Sequence, residues 1–159
     1  MNILVMSDSH GNYGVVKDLL DTYKSQVQMV LHLGDNSSDL LRFMKDYPNL
    51  QMHAVDGNCD GGVTKEQIIS VEGRRILMVH GHTHGVKINF DRLAYYAEEK
   101  GVDICLFGHT HSHDEFYRRV ADKPIYFFNP GSVNNPREGR PSYGLLRLDE
   151  GITGKAVYL

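Results

Sequence analysis

Gly101-Val102-Asp103-Ile104-Cys105-Leu106-Phe107-Gly108-His109-Thr110-His111 is the stretch on which the reading of this chain turns. Gly101 stands where the end of a helix favours a left-handed residue. Ile104 to Phe107 then reads as a short buried strand. Just past its last apolar side chain come two histidines one residue apart, flanked by glycine and threonine. Such a run packs poorly as core. It is well suited to aim two imidazoles into one crevice, and imidazole is a common metal ligand.

The same grammar, an apolar strand stopped by a polar loop, recurs upstream. Asn2 to Met6 is a continuous apolar run, as in a strand buried on both faces, and Asp8-Ser9-His10-Gly11-Asn12 breaks it. Asn12 is placed to cap a helix with Val16, Leu19, Leu20 and Tyr23 on one face. Val27 to Leu33 is a second strand, ended by Gly34-Asp35-Asn36. Ser37 and Ser38 can cap a second helix, with Leu40, Leu41 and Met44 on one stripe and Pro48 just beyond. Leu50 to Val55 is a third strand, closed by the polar, glycine-rich loop Asp56-Gly57-Asn58-Cys59-Asp60-Gly61-Gly62.

Gln67 to Val71 and Arg74 to Val79 form a hairpin around Glu72-Gly73, and the second strand runs into His80-Gly81-His82-Thr83-His84-Gly85. Asn89 caps a third helix that gathers Phe90, Leu93, Ala94 and Ala97. From Glu115 to Leu159 the pattern is a strand meander, with turns at Asp122-Lys123-Pro124, Asn129-Pro130-Gly131 and Glu150-Gly151. The first half alternates strand and helix and the second half is mostly strand. No repeat or linker interrupts it, so one α/β domain is expected over residues 1–159. Every candidate ligand lies at the carboxyl end of a strand, where open α/β sheets bind ligands.

The totals narrow the function. A chain of 159 residues that is 41% hydrophobic can bury a core of its own. A net charge of -3 gives no basic footprint, so no stable nucleic-acid complex is expected and a nuclease is disfavoured. Two cysteines, Cys59 and Cys105, do not make a disulfide framework, and a reduced cytoplasm is the expected location. Met1 to Met6 is too short and too quickly followed by Ser7-Asp8 for a signal peptide, and no apolar run is long enough to cross a bilayer. The unusual feature is nine histidines, six of them between His80 and His113.

The strand ends collect Asp8, His10, Asp35, Asn58, His80, His109 and His111. A mixed oxygen and imidazole set suits Mn²⁺, Fe, Co²⁺, Ni²⁺ or Zn²⁺ rather than Ca²⁺. Seven ligands exceed what one transition ion takes and suit two divalent ions that share a carboxylate. Two ions about 3.5–4 Å apart can hold a bridging hydroxide and clamp both oxygens of an in-line displacement at phosphorus. Aspartate is the natural bridge, since each of its oxygens can bind one ion.

In order and type, Asp8-Ser9-His10, Gly34-Asp35, Gly57-Asn58-Cys59-Asp60, His80-Gly81-His82 and Gly108-His109-Thr110-His111 resemble the motifs of the calcineurin-like metallophosphoesterases. The likeness is greatest to their small YfcE-like phosphodiesterase subfamily, which Asn129-Pro130-Gly131-Ser132 also resembles. The resemblance implies a four-layer α-β-β-α sandwich of two mixed sheets. It implies one ion held by Asp8, His10 and His111, another by Asn58, His80 and His109, and Asp35 between them. Manganese is the expected metal and a small phosphodiester the expected substrate. Asp35, Asn58 and His82 are the residues expected to act at the reacting centre. One position departs from the pattern: the larger family often carries Asn-His-Asp or Asn-His-Glu where this chain has Asn58-Cys59-Asp60. Loss of a general acid typically costs ~10²–10⁴ in rate. Weak turnover, best with esters whose leaving groups need little protonation, is therefore expected.

Each residue also has an ordinary explanation. Asp8 and His10 could form an Asx-turn, Asp35 could cap the next helix, and Asn58 could be a turn residue; the five motifs together outweigh these. Gly81-His82-Thr83-His84 repeats Gly108-His109-Thr110-His111 letter for letter. The later copy is taken as the paired-ligand motif because His80 already ends the earlier strand. His82 then lies either against substrate or behind the ligands, and His84 and His113 are expected in loops. His32 and His53 read as core or edge histidines, and Cys105 as a small buried hydrophobe. A protein-binding scaffold, like the retromer subunit of the same fold, is the alternative to an enzyme. A free edge strand in the second sheet leaves room for a homodimer.

Overall fold

Along β1 (Asn2–Met6), Ile3 and Val5 point to one side and Leu4 and Met6 to the other, and all four are fully buried. A strand apolar on both faces must have a layer above and below it. Ile3 and Val5 join a core shared with Ile76 and Met78 of β5 (Arg74–Val79), Leu106 of β6 (Ile104–Leu106) and Phe128 of β8 (Pro124–Pro130). Leu4 and Met6 join a second core with Val16, Leu19 and Leu20 of α1 (Tyr13–Tyr23) and Leu40 of α2 (Ser38–Leu41). The neighbours of those β5 residues, Leu77 and Val79, face a third core with Leu93, Ala94 and Ala97 of α3 (Asp91–Glu99) and with Phe127. Three cores separate four layers: helices, sheet, sheet, helix. The computed structural model describes all 159 residues.

The first sheet runs β10-β9-β1-β2-β3, with β2 (Met29–His32), β3 (Gln51–Ala54), β9 (Ser142–Leu148) and β10 (Ile152–Tyr158). The second runs β4-β5-β6-β8-β7, with β4 (Glu66–Val71) and β7 (His113–Arg119). Each is mixed: β1-β2-β3 and β5-β6-β8 are parallel, while β9, β10, β4 and β7 pair antiparallel. The expected hairpin is present, with Glu72 (φ 50°) and Gly73 (φ 74°) both left-handed between β4 and β5. Asn12 caps α1 through Oδ1, which accepts from Val15 N at 3.3 Å. No helix is long and apolar enough to cross a membrane.

Four expectations change. The second helix is a single turn: Phe43 N and Met44 N bond three residues back, to Leu40 O and Leu41 O, which tightens the chain out of α geometry. Only Leu40 of the expected stripe is buried; Leu41 and Met44 are 39% and 50% exposed. The residue before α3 is Phe90, and Asn89 caps one step early, Oδ1 accepting from Asp91 N at 3.0 Å. The C-terminal strands are two hairpins in different sheets rather than one meander, because the segment after Pro130 crosses from the second sheet to the first. Finally, His82 to His84 form a 3₁₀ turn, and His113 begins β7, where its Nδ1 donates to Asn129 O at 2.8 Å.

Asp103 fastens the starts of three parallel strands. Its carboxylate accepts from Arg75 N at 2.8 Å and pairs with Lys123 Nζ, while its backbone bonds Arg75 O and Tyr126 N. Burial raises its pKa, but the Lys123 ammonium and the Arg75 N–H outweigh burial and hold it below the ordinary value. A carboxylate depressed on folding stabilises above its unfolded pKa of about 3.9 and loses that contribution as pH falls through the folded value. Asp103→Asn is therefore expected to cost about 1 kcal/mol in urea unfolding at pH 7. The gap to wild type should narrow as pH is lowered below about 4, and an equal gap at every pH would refute the assignment.

Candidate metal centre

The loops that leave β1, β2, β5 and β6 converge at one end of the paired sheets. Asp8 is fully buried. Its Oδ2 accepts from Ser7 Oγ at 2.5 Å and His109 N at 3.2 Å. Its Oδ1 has no hydrogen bond and faces His111, His80 and His10 Nε2 at 3.1, 3.8 and 4.0 Å. Asp35 divides its oxygens: Oδ1 accepts from Cys59 N at 2.9 Å and lies 3.4 Å from His80 Nε2, while Oδ2 lies 3.6 Å from His10 Nε2.

The imidazoles are held from behind. His80 Nδ1 donates to Leu33 O at 2.7 Å and His111 Nδ1 to Asn135 O at 2.6 Å. A carbonyl only accepts, so in each neutral ring Nε2 keeps its lone pair, turned inward. Nitrogens therefore crowd one another: His10 and His111 Nε2 are 3.3 Å apart, and His109 Nδ1 is 3.2 Å from His80 Nε2. Two groups result, each with donor atoms within 4.8 Å of one another: Asp8, His10, Asp35 and His111, and Asp35, His80 and His109. Asp35 belongs to both.

Charges inside the cluster are mutually adjusted. Burial raises the Asp8 and Asp35 pKa values, yet His111, His80 and the Ser7 hydroxyl at Asp8, and His80 and the Cys59 N–H at Asp35, outweigh burial and hold both below the ordinary carboxylate range. Burial lowers His80, but Asp35 and Asp8 reverse the sign and raise it. Contact with Asp8 raises His111. His109, against burial, the His80 charge and the Lys87 ammonium, falls to about 4.

The backbone is bent to make this possible. Asp8 (φ 56°), His10 (φ 47°), Asp35 (φ 59°), His109 (φ 69°) and His111 (φ 59°) are all left-handed. Such residues cost of order 1–3 kcal/mol each and persist where the surroundings over-determine them. Two glycines make room. A Cβ on Gly57 would collide with Asp35 Oδ1, and one on Gly108 with Ser7 Oγ.

His32 is a satisfied core histidine, as read, but its part in holding the cluster, and those of Ser9, Asp60, Asn129 and Ser132, were not legible in the sequence. His32, fully buried, accepts from Gly34 N at 3.1 Å through Nδ1. Its Nε2–H therefore donates to Ser9 Oγ at 2.9 Å, and Ser9 Oγ donates to Asp39 Oδ2 at 2.7 Å. That chain ties the loop after β1 to the loop after β2. Asp60 accepts from Asn36 N and Ser37 N at 3.0 Å each and from Gly57 N at 2.7 Å, locking the second and third loops. Asn129 Nδ2 donates to Gly108 O and Thr110 Oγ1, and Ser132 Oγ donates to Asp8 O at 2.8 Å. The resemblance of Asn129-Pro130-Gly131-Ser132 thus has a mechanical basis; His32, inside an apolar run, gave only its polarity as a signal.

Of the seven expected ligands, Asp8, His10, Asp35, His80, His109 and His111 are gathered together. Asn58 is exposed, with its Nδ2 turned to Cys59 Sγ at 3.6 Å. Cys59 is also exposed and meets the cluster through its backbone N–H on Asp35. The His82 ring centroid lies 5.4 Å from that of His80 and 6.0 Å from that of His109, and its buried Nδ1 has no partner. His84 packs on Tyr96, 4.7 Å between ring centroids, away from the cluster. His53 lies on the edge strand β3 and Cys105 is buried in the third core, as read.

The profile of the calcineurin-like phosphoesterase superfamily domain matches residues 1–151. The probable metallophosphoesterase YsnB of Bacillus subtilis is 35% identical over 157 residues, which span 94% of this chain and 85% of that protein. Phosphodiesterase YfcE of Escherichia coli is 30% identical over 176 residues, spanning 94% of this chain and 89% of its own. A conserved Streptococcus pneumoniae protein, inferred to be a phosphoesterase, superposes with a TM-score of 0.81 at 28% identity, over 99% of this chain and 88% of that one. A single-residue variant of Vps29 from Entamoeba histolytica does so with a TM-score of 0.74 at 25% identity, over 100% and 99%. This chain belongs to the calcineurin-like phosphoesterase superfamily.

The His32 chain gives a test that needs no ligand. In His32→Leu the buried Gly34 N–H loses its acceptor and Ser9 loses a partner. Urea unfolding is expected to show a loss of about 1–3 kcal/mol. Unchanged stability would show that the two loops are held some other way.

Proposed function

We propose that this member of the superfamily is a phosphodiesterase working with two divalent cations, and that Asp35 lies between them. The carrying observation is the division of the Asp35 carboxylate: one oxygen faces His80, the other faces His10. The donor set fits such a pair. Asp8 Oδ1 is buried without a hydrogen bond among three imidazole nitrogens, a costly position that a cation would satisfy. Asp8, His10 and His111 would hold one ion. His80 and His109 would hold the other, with Asn58, next to the Cys59 N–H that grips Asp35, completing it. Mixed imidazole and carboxylate donors suit Mn²⁺, and also Fe, Co²⁺, Ni²⁺ or Zn²⁺. When bound, the pair supplies Lewis acidity toward phosphoryl oxygens and lowers the pKa of water near them.

The chain's own groups do the positioning. Ser7 and the His109 N–H fix Asp8; the Cys59 N–H fixes Asp35; Leu33 and Asn135 fix the tautomers of His80 and His111. His82, whose ring lies 5.4 Å from that of His80, would act beside the cluster, either on substrate or behind the ligands. With Cys59 where relatives often carry histidine, diesters with acidic leaving groups are the substrates best suited to it. The name of the Escherichia coli relative supports a diester over a monoester. The likeness to Vps29 supports a binding scaffold as the second reading, and the gathered Asp and His side chains speak for the enzyme.

The test is hydrolysis of bis(4-nitrophenyl) phosphate after chelation and restoration of Mn²⁺. Wild type should recover activity, and Asp35→Asn should lose at least about a hundredfold. Turnover of the variant at the wild-type rate would contradict the shared carboxylate. A folded wild type that takes up no metal and hydrolyses nothing would favour the scaffold.

A further inference from the structure

Beside the cluster lies a cleft of about 400 Å³, bounded by His109 and His111 on one side and by Lys87, Thr110, Asn135 and Arg137 on the others. Pro136 also lines it, and none of the lining residues is acidic. Several other surface cations are paired, Arg118 with Asp91, Lys123 with Asp103 and Arg147 with Asp149. The Lys87 and Arg137 side chains, both exposed, are in no ion pair or hydrogen bond.

Their backbones are nonetheless fixed. Lys87 follows Val86, buried in the third core, inside a turn closed by Ile88 N on Gly85 O at 2.9 Å. Arg137 N donates to His111 O at 3.1 Å, and His111 Nδ1 donates in turn to Asn135 O at 2.6 Å. The loop that carries Arg137 is thereby bonded at two points to a residue of the cluster. The Thr110 hydroxyl is already engaged, by Asn129 Nδ2 and Ser112. Two cations and the Asn135 amide are therefore free to meet a ligand in the cleft.

Resting on the phosphodiesterase reading, we propose that this cleft selects substrates in which one ester arm carries a second anionic group, a carboxylate or a phosphate, bound by Lys87 and Arg137. Two unpaired cations in a cleft with no acidic lining residue favour a negatively charged arm over a neutral one. The preferred diester is small, polar and at least dianionic.

A matched pair of chromogenic diesters tests this with the leaving group held constant: 4-nitrophenyl 2-carboxyethyl phosphate and its neutral 2-carbamoylethyl analogue, with a 2-phosphoethyl version as the phosphate arm. In Mn²⁺-loaded wild type, kcat/KM for either anionic arm should exceed that of the neutral one by about tenfold or more. Lys87→Ala and Arg137→Ala should each lower that ratio about tenfold. A wild-type ratio near one, or a ratio untouched by both variants, overturns the assignment. If wild type hydrolyses none of the three, the phosphodiesterase reading falls, and calorimetry decides the cleft separately. Tighter binding of 3-phosphonopropionate than of propylphosphonate, with the difference lost in Arg137→Ala, upholds it; equal binding overturns it.

Discussion

Two buried carboxylates set against four imidazoles at one end of the sandwich is the constraint on which the rest of the structure depends. Asp8 is out of reach of water, and one of its oxygens has no hydrogen bond. An isolated buried charge is expensive, so these carboxylates can stay ionised only if positive charge faces them. The imidazoles of His80 and His111 face them, and their pKa values are raised in return. Divalent ions would supply that positive charge in the proposed enzyme. The same contacts that keep the carboxylates charged therefore prepare a place for cations.

The fold serves that constraint through parallel strands. β1 and β2 in one sheet and β5 and β6 in the other end at the same edge, so four loops from distant parts of the chain meet there. The three apolar cores hold the sheets in register behind them. Bent backbone at five of the cluster residues then turns side chains inward that an extended continuation would send past one another. Hydrogen bonds from His32 through Ser9 to Asp39, and from Asp60 to Asn36, Ser37 and Gly57, keep those bends in place.

Six cluster residues were legible in the sequence because each follows an apolar run and stands in a polar loop, where neither periodicity nor packing explains an aspartate or histidine. The division of β1 and β5 between two cores was legible as continuous apolar strands. The props were not. His32 sits within an apolar run and bonds Ser9, 23 residues away, so only the paired strands reveal its role. The stripe of Leu40, Leu41 and Met44 suggested a longer helix, but the tight bonds of residues 43 and 44 leave Leu41 and Met44 facing solvent. Repetition of Gly-His-Thr-His misleads when read alone; the two copies part ways because Gly81 (φ 104°) and Gly85 (φ 65°) curl the first into a 3₁₀ turn, while Asn129 pins the second across the sheet edge. Strand patterns from Glu115 onward could not show that the chain changes sheets after Pro130, since both hairpins have the same local signature.

The central claim is that Asp35 joins two cations. Anomalous diffraction from crystals soaked in Mn²⁺ tests it most directly. Two manganese peaks about 3.5–4 Å apart, with one Asp35 oxygen toward each, are the predicted result. A single peak, or ions bound elsewhere while the Asp8, Asp35 and histidine side chains keep to their own contacts, would contradict it.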